Sequence, residues 1–253
     1  MDIVVKRGHP LEQKTACLIV PVSSSRKLAG LAADLDRASR GLVTRLCKRG
    51  DLTGAVGETL LLPEVAGVTA DRVLLVGAGK AEGVRPAEYR QLLDKAARMV
   101  NDAALRNVIC ALGEVKVADR DDDWKTTQTV LAFNNAAYRF DQLKSKPSRK
   151  AVTSKVTLAV TPEQFAATQR AVRQASGVAL GMALTRDLAN LPGNHCPPRH
   201  LAVVAKELDK AYKSLKVTVL DQGDMEKLGM GSLLAVAQGS AEPPRFLTLE
   251  YHG

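Results

Sequence analysis

Residues 229–253 read GMGSLLAVAQGSAEPPRFLTLEYHG, a stretch in which two apolar runs are separated by dense turn signals. The first run is Leu233–Ala237, and Gly239 and the pair Pro243–Pro244 follow it. The second run begins at Phe246 and has the composition of a β-strand. The pattern predicts a strand, a tight turn and a second strand.

A second informative segment lies upstream, where residues 185–194 read TRDLANLPGN. Together with the Gly-Met-Gly, Gln-Gly-Ser and Pro-Pro-Arg triplets of residues 229–245, it closely resembles the leucyl aminopeptidase (cytosol aminopeptidase) family, of the bacterial aminopeptidase A type. The resemblance covers the whole chain and is specific from about Thr185 onward. One departure is Cys196–Pro197, where the family usually has Thr-Pro at a helix start, and we expect a weaker helix cap there.

The resemblance implies an α/β protein with two domains. Residues 1–161 are expected to form an N-terminal domain with a macro-domain-like mixed sheet flanked by helices. Residues 162–253 are expected to form a linking helix and the incomplete N-terminal portion of a catalytic α/β domain.

The resemblance also implies an activity. The family removes N-terminal residues, with leucine preferred, from peptides, and it assembles as homo-hexamers. Its two divalent ions (manganese, zinc or magnesium) bridge a water, lower the pKa of that water and polarise the scissile carbonyl.

The segments that carry this chemistry in the family are absent from these 253 residues. They are a Lys-Gly-(Val/Ile)-x-(Phe/Tyr)-Asp-(Ser/Thr)-Gly-Gly segment and a later Asn-Thr-Asp-Ala-Glu-Gly-Arg segment. We therefore assign no catalytic and no metal-binding residue to this chain and expect no cofactor in it. The ligands are expected beyond Gly253, and the chain alone is predicted to be inactive.

Composition agrees with helices packed on a sheet. Hydrophobic residues make up 45% of the chain and aromatic residues only 4%, which disfavours an aromatic-rich β-sandwich. The four cysteines show no Cys-x-x-Cys pair, so reduced and mostly buried thiols are expected. The sequence shows neither a signal peptide nor an apolar run of membrane-spanning length, which predicts a cytoplasmic protein without a membrane partner.

Basic residues are concentrated near the N-terminus. The formal net charge is +9, and residues 1–50 contain ten Lys or Arg against four Asp or Glu. Apolar residues recur at intervals of three and four from Leu28 to Leu46, which predicts one amphipathic helix with Arg37, Arg40 and Lys48 on its opposite face. This stripe is either a solvated surface or a nucleic-acid contact. Since some bacterial members of the resembled family also bind DNA as regulators, DNA is carried as an alternative partner.

A glycine-rich turn, Gly77–Lys80, follows the apolar run Val73–Val76. At a strand end, such a turn can bind phosphate through its backbone N–H groups, so a macro-like module that binds ADP-ribose near Gly77–Gly79 is a third hypothesis. The spacing of a complete phosphate-binding loop is absent, which favours a plain turn. The runs Leu60–Leu62 and Val73–Val76 both predict central strands covered on two faces.

Two further features have competing interpretations. His195, Cys196 and His200 could ligate zinc, but they straddle a helix start and no fourth ligand is evident. The long helix predicted from Glu163 to about Leu191 carries glycines at 177 and 181, a spacing that predicts close packing of a neighbouring element.

Overall fold

The computed structural model describes residues 1–25, 27–146 and 153–253. By their contacts, these residues form two compact units, Met1–Ala183 and Leu184–Gly253. The division falls within one long helix, and the domain boundary expected after residue 161 stays a prediction. The polar, basic composition of residues 144–155 is typical of a connection, and this stretch lies partly outside the described residues.

The first unit is built on a six-stranded mixed sheet, which confirms the predicted α/β class. The strand order is β1-β6-β5-β2-β4-β3, and all neighbours are parallel except the antiparallel pair β3 and β4. The strands are β1 (Asp2–Arg7), β2 (Cys17–Val22), β3 (Thr59–Pro63), β4 (Arg72–Gly77), β5 (Asn107–Cys110) and β6 (Lys155–Val160).

The apolar run Leu60–Leu62 was predicted to be a central strand, and that prediction is wrong. It forms β3 at the edge of the sheet, where its residues are only half-buried. The run Val73–Val76 does form a central strand, because β4 lies between β2 and β3 and its residues Val73 to Gly77 are buried.

Helices cover both faces of this sheet. Alternation along β2 directs Cys17 and Ile19 into one core cluster and Leu18 and Val20 into the other. The helices of the first unit are α1 (Gly30–Ala38), α2 (Leu42–Arg49), α3 (Pro86–Asp102), α4 (Asp122–Ala137) and α5 (Phe165–Asn190), the last of which continues into the second unit. Pro86 occupies the first turn of α3, a position that suits proline because the N–H group it lacks would have no partner within the helix.

The single helix predicted from Leu28 to Leu46 is instead two helices. The chain adopts positive φ angles at Arg40 (55°) and Gly41 (82°), which ends α1 and redirects the backbone. The carboxylate of Asp36 then accepts hydrogen bonds from the Thr44 backbone N–H at 2.8 Å and the Thr44 hydroxyl at 2.7 Å. These bonds satisfy a donor in the first turn of α2 and stabilise the break.

The close packing predicted at the two glycines of α5 is also wrong. Both glycines are exposed, and a Cβ atom built on Gly177 or Gly181 meets no atom of the described residues within 4 Å. The face of α5 that does pack carries larger side chains, among them Val172 and Ala175.

The second unit contains a two-stranded antiparallel sheet and short helices. Its elements are the end of α5, α6 (Pro198–Ala211), β7 (Leu215–Leu220), α7 (Gln222–Lys227), α8 (Gly231–Ala237) and β8 (Phe246–Tyr251), with β7 pairing with β8. The strand predicted at Leu233–Ala237 is wrong, because these residues form α8; the strand predicted from Phe246 is confirmed as β8. The N-cap of α6 is Pro197, which makes no side-chain capping bond, as the weak cap predicted there requires.

Several large apolar side chains of the second unit are exposed. Val236 in α8 is 87% exposed, Tyr251 in β8 is 75% exposed and Leu249 is 50% exposed. Within the described ranges, no helix combines the length and the hydrophobicity needed to cross a membrane.

Candidate functional site

The glycine turn at the end of β4 is a closed structural turn. The N–H groups of Gly77, Ala78 and Gly79 donate to the carbonyls of Glu58, Val22 and Gly54, at 2.7, 2.8 and 2.8 Å. Because these donors already have backbone partners, they do not point at an anion. The plain turn is therefore confirmed, and a phosphate cradle at Gly77–Gly79, as the ADP-ribose hypothesis requires, is not formed.

The three basic residues considered for DNA binding lie on separate pieces of backbone. Arg37 is in the last turn of α1 and pairs with Asp34 at 3.3 Å. Arg40 occupies the left-handed turn between the helices, and Lys48 is in the last turn of α2. All three are exposed, but they do not form one helical stripe. A DNA contact through them stays a prediction.

In the second unit, His195 and Cys196 lie in the turn before α6, and His200 lies in the first turn of that helix. Within the described residues, no group of three or more His, Cys, Asp or Glu side chains is arranged to hold a metal ion. The described residues therefore do not fit the two-ion centre that the resemblance implies, and no catalytic step can be derived from them.

A cavity of about 480 Å³ in the first unit was not predicted from the sequence. It lies beyond the carboxyl ends of the parallel strands β1, β5 and β6, where open α/β sheets usually bind ligands. Its wall is completed by α4 and by the first turns of α5. The lining residues used below are His9, Cys110, Ala111, Gly113, Glu114, Asp122, Lys125, Thr126, Thr129, Leu158, Val160, Gln164 and Thr168.

One face of α4 gives the cavity its polar wall. Asp122 lies three and four residues before Lys125 and Thr126, Thr129 lies four and three residues after them, and all four line the cavity. Thr126 and Thr129 are buried, so this polar face points into the protein and not into bulk solvent. The helix begins at Asp121, whose carboxylate accepts the Trp124 N–H at 2.8 Å and so fixes the position of this face.

Lys125 joins α4 to the loop after β5. Its ammonium donates to the Gly113 carbonyl at 2.7 Å and to the Val115 carbonyl at 3.4 Å, and it pairs with Asp122 at 2.8 Å. The side chain is only 12% exposed. All three N–H donors of the ammonium therefore have partners within the protein.

Trp124, the residue before Lys125, packs against the neighbouring helix α3. Its ring centroid lies 5.8 Å from that of Tyr89 in α3, and the guanidinium groups of Arg90 and Arg120 lie 5.6 and 5.5 Å from its ring. These contacts hold the first turn of α4 against α3.

Glu114 is one of the residues that line the cavity. Its carboxylate accepts the backbone N–H of Leu31, in the first turn of α1, at 3.0 Å. Desolvation raises the pKa of this carboxyl above its ordinary value, with a further rise from Asp34 and opposing effects from the Leu31 N–H and His9. In the described part of the chain, Glu114 forms no ion pair, and the His9 imidazole that acts on its charge pairs with Asp34 at 3.3 Å.

Cys110, the cysteine in the cavity wall, is not a nucleophile. Burial raises the pKa of its thiol to about 12, so the thiolate is not populated at neutral pH. Cys17 is similarly buried, with a pKa raised to about 12, while Cys47 and Cys196 are partly accessible and all four are free. The prediction of reduced thiols is confirmed, and burial holds for two of the four.

The sequence contains a signal for this cavity. Asp122, Lys125, Thr126 and Thr129 form a polar stripe at helical spacing, and the opposite face of α4 is not uniformly apolar. When the fold covers the polar face of a helix, the space beside that face is expected to hold water or a ligand. From sequence alone, the same stripe is typical of a solvated surface.

Comparison with known proteins identifies the relationship. Residues 19–147 match the model of the N-terminal domain of the cytosol aminopeptidase family, and residues 183–253 match the model of that family's catalytic domain. The chain belongs to the cytosol aminopeptidase family. This confirms the resemblance drawn from residues 185–194 and 229–245.

Curated members of the cytosol aminopeptidase family are similar along the whole chain. The cytosol aminopeptidase of Pseudomonas aeruginosa is 42% identical over 253 residues, which are 100% of this chain and 51% of that protein. A protein of Thioalkalivibrio sulfidiphilus described as a probable cytosol aminopeptidase is 42% identical over 255 residues, with the same coverage of 100% and 51%. The chain thus spans about half the length of the curated relatives that it matches.

Solved structures share the fold. A mutant of tomato leucine aminopeptidase aligns with a TM-score of 0.78 at 24% identity, covering 98% of this chain and 50% of the tomato chain. A bottromycin maturation enzyme in complex with manganese aligns with a TM-score of 0.70 at 23% identity, covering 93% of this chain and 45% of that enzyme. At these identities the likeness establishes the α/β fold.

Proposed function

We propose that this chain is the N-terminal half of a two-metal leucyl aminopeptidase, which hydrolyses N-terminal residues, leucine preferred, from peptides. The supporting observation is the ordered pair of family matches, an N-terminal domain at residues 19–147 and a catalytic domain at residues 183–253. The coverage of about half of each relative supports a longer active protein.

In this proposal, the catalytic residues and metal ligands lie beyond Gly253, and the 253 residues alone are inactive. The cofactors are two divalent ions, manganese, zinc or magnesium, and the manganese bound to the bottromycin maturation enzyme favours the first. Such ions would activate a water and polarise the peptide carbonyl.

The exposed apolar side chains of the second unit support the same proposal. Val236, Leu249 and Tyr251 are the kind of surface that a catalytic core covers. We assign that surface to the remainder of the catalytic domain. The proposal includes a cytoplasmic location, peptide substrates and a homo-hexamer, as the family resemblance implies.

The deciding experiment compares the natural polypeptide with the 253-residue chain. The intact mass of the natural protein is measured first, and both proteins are then assayed on leucine p-nitroanilide with manganese, zinc or magnesium. We expect a mass well above 27.1 kDa, hydrolysis that is abolished by chelation in the natural protein, and no hydrolysis by the shorter chain. A natural protein of 27.1 kDa without metal-dependent hydrolysis would overturn the proposal.

A further inference from the structure

We propose that the cavity at the carboxyl ends of β1, β5 and β6 is a binding site for a small aliphatic primary amine, whose ammonium group pairs with Glu114. The site lies within the first unit, contains no residue of the catalytic-domain match, and is independent of the proposed peptidase reaction. Its volume of about 480 Å³ is within the range of small-molecule pockets.

Two threonine hydroxyl groups give the cavity polar groups that a ligand can contact. Thr126 is 9% exposed and Thr168 is 7% exposed, and both line the cavity from different helices. Neither hydroxyl has a hydrogen-bond partner among the described residues, whereas the neighbouring Thr129 hydroxyl donates to the Lys125 carbonyl at 2.9 Å. Among the described residues, the buried side-chain atoms without a partner are those of Asn101 and Thr153, so the two threonine oxygens are accessible from the cavity and can hydrogen-bond to a ligand there.

The charged residues of the lining favour a positively charged ligand. Among the described residues, the lining contains the carboxylates of Glu114 and Asp122 and a single ammonium, that of Lys125. Asp122 pairs with Lys125, and the His9 imidazole, which also lines the cavity, pairs with Asp34, so among the described residues Glu114 is the lining carboxylate without an ion pair. A phosphate or other anion would be repelled, while an ammonium would gain a charge-assisted hydrogen bond.

The hydrogen bonds of Lys125 disfavour a ligand that carries a carboxylate. Its ammonium is already bound to Asp122, Gly113 and Val115, so it has no N–H left for a ligand carboxylate. An amino acid would bring its carboxylate into the cavity without a cationic partner there. A simple amine has no such group.

The rest of the wall suits an aliphatic body. Ala111 and Leu158 are buried apolar residues, and Val160 is partly buried at the end of β6. Burying a short branched chain against these residues adds roughly 25 cal/mol for each Å² of apolar surface removed from water.

The experiment is calorimetric titration of the full 253-residue chain with 3-methylbutylamine, 3-methylbutanol and leucine. These probes share an aliphatic body and differ in the ammonium and carboxylate groups. We expect the amine to bind at least about tenfold more tightly than both the alcohol and leucine, because only the amine pairs with Glu114 without bringing an unpaired carboxylate.

Two variants assign the contact. Glu114→Gln keeps an oxygen that can accept the Leu31 N–H but removes the charge, and it should weaken amine binding by about tenfold while leaving alcohol binding unchanged. Asp94→Asn is the matched control, because Asp94 is an exposed carboxylate of α3 outside the cavity, and it should leave amine binding unchanged.

Three outcomes would overturn the proposal: no heat with the amine, equal affinity for amine and alcohol, or an unchanged affinity in a folded Glu114→Gln variant. Leucine binding as tight as the amine would overturn the assignment to a simple amine. Peptidase activity of the natural protein is measured separately, so failure here leaves the proposed function untouched.

Discussion

Glu114 and Leu31 are 83 residues apart in sequence, yet the carboxylate of one accepts the backbone N–H of the other at 3.0 Å. The bond connects the loop after β5 to the first turn of α1, where Ala29 is the N-cap and makes no side-chain capping bond. A residue distant in sequence thus satisfies an N-terminal donor of α1. Gly30 is required beside this contact, since a Cβ there would lie 2.6 Å from the Glu114 Oε2 atom and its φ is +55°.

Glu114→Gln should stabilise the protein at neutral pH and not at acid pH. The folded-state pKa of Glu114 is raised, mainly by desolvation and further by Asp34, so its ionised form disfavours folding above that pKa. The amide keeps an acceptor for Leu31 without the charge. Thermal unfolding followed by circular dichroism should show a melting temperature gain of roughly 1–3 °C at pH 8 that vanishes below the unfolded-state pKa. A gain that is the same at every pH would contradict this account.

Glu58→Gln should have the opposite pH dependence. Desolvation acts to raise the Glu58 pKa, but hydrogen bonds from the Thr53 hydroxyl and the N–H groups of residues 53–55 outweigh it, and the pKa is lowered. The stabilisation by this carboxylate is therefore present above the unfolded-state pKa and is lost as pH falls through the folded-state pKa. We expect a cost of about 1–2 kcal/mol at pH 7, measured by urea unfolding, which shrinks towards zero in acid. Asp94→Asn, an exposed carboxylate, should show little change at either pH.

Gly77→Ala should be strongly destabilising. A Cβ at Gly77 would lie 1.9 Å from the carbonyl oxygen of Ala55, a backbone atom that cannot move without breaking the turn. We expect a loss of about 3 kcal/mol or more in the free energy of unfolding, or failure to fold. The control is Gly177→Ala at an exposed position of α5, where the added Cβ meets no described atom within 4 Å. This substitution should raise the free energy of unfolding by about 0.5–1 kcal/mol. Equal effects of the two substitutions would show that steric approach is not what requires glycine at residue 77.

Val236→Ser should reduce self-association of the 253-residue chain. The Val236 side chain is 87% exposed on α8, so a polar replacement costs little burial but removes apolar surface. Light scattering at rising protein concentration should show a lower apparent mass for the variant. The control is Thr248→Ser, a conservative polar exchange in β8 that should leave self-association unchanged. A substitution such as Val20→Ser is unsuitable as a control, because Val20 is fully buried.

Secondary structure can be predicted from the sequence where a local residue pattern fits only one type of element. Asp121 at the N-cap of α4 and Pro86 in the first turn of α3 are residues of the types that begin helices, for direct physical reasons. The five apolar residues from Leu233 to Ala237 fit a strand or a buried helix turn equally well, and the structure makes them α8. The break between α1 and α2 depends on an Asp36 contact that spacing does not reveal.

The cavity could not be located from the sequence for a related reason. Thr126 and Thr168 are ordinary helix residues whose importance comes only from the cavity that both of them line. Glu114 is unremarkable in sequence, and its role depends on a contact with Leu31 that long-range topology creates. Periodicity describes one element at a time, whereas a cavity needs several.

Trp124 gives this protein an optical property. It is the sole tryptophan of the chain, and it lies in the first turn of α4, held against Tyr89 and next to Lys125 in the cavity wall. Emission excited at the red edge of the absorption band therefore comes from a single position close to the cavity. Any molecule that shifts α4 changes the colour or intensity of that emission, so occupancy of the cavity can be followed without a label.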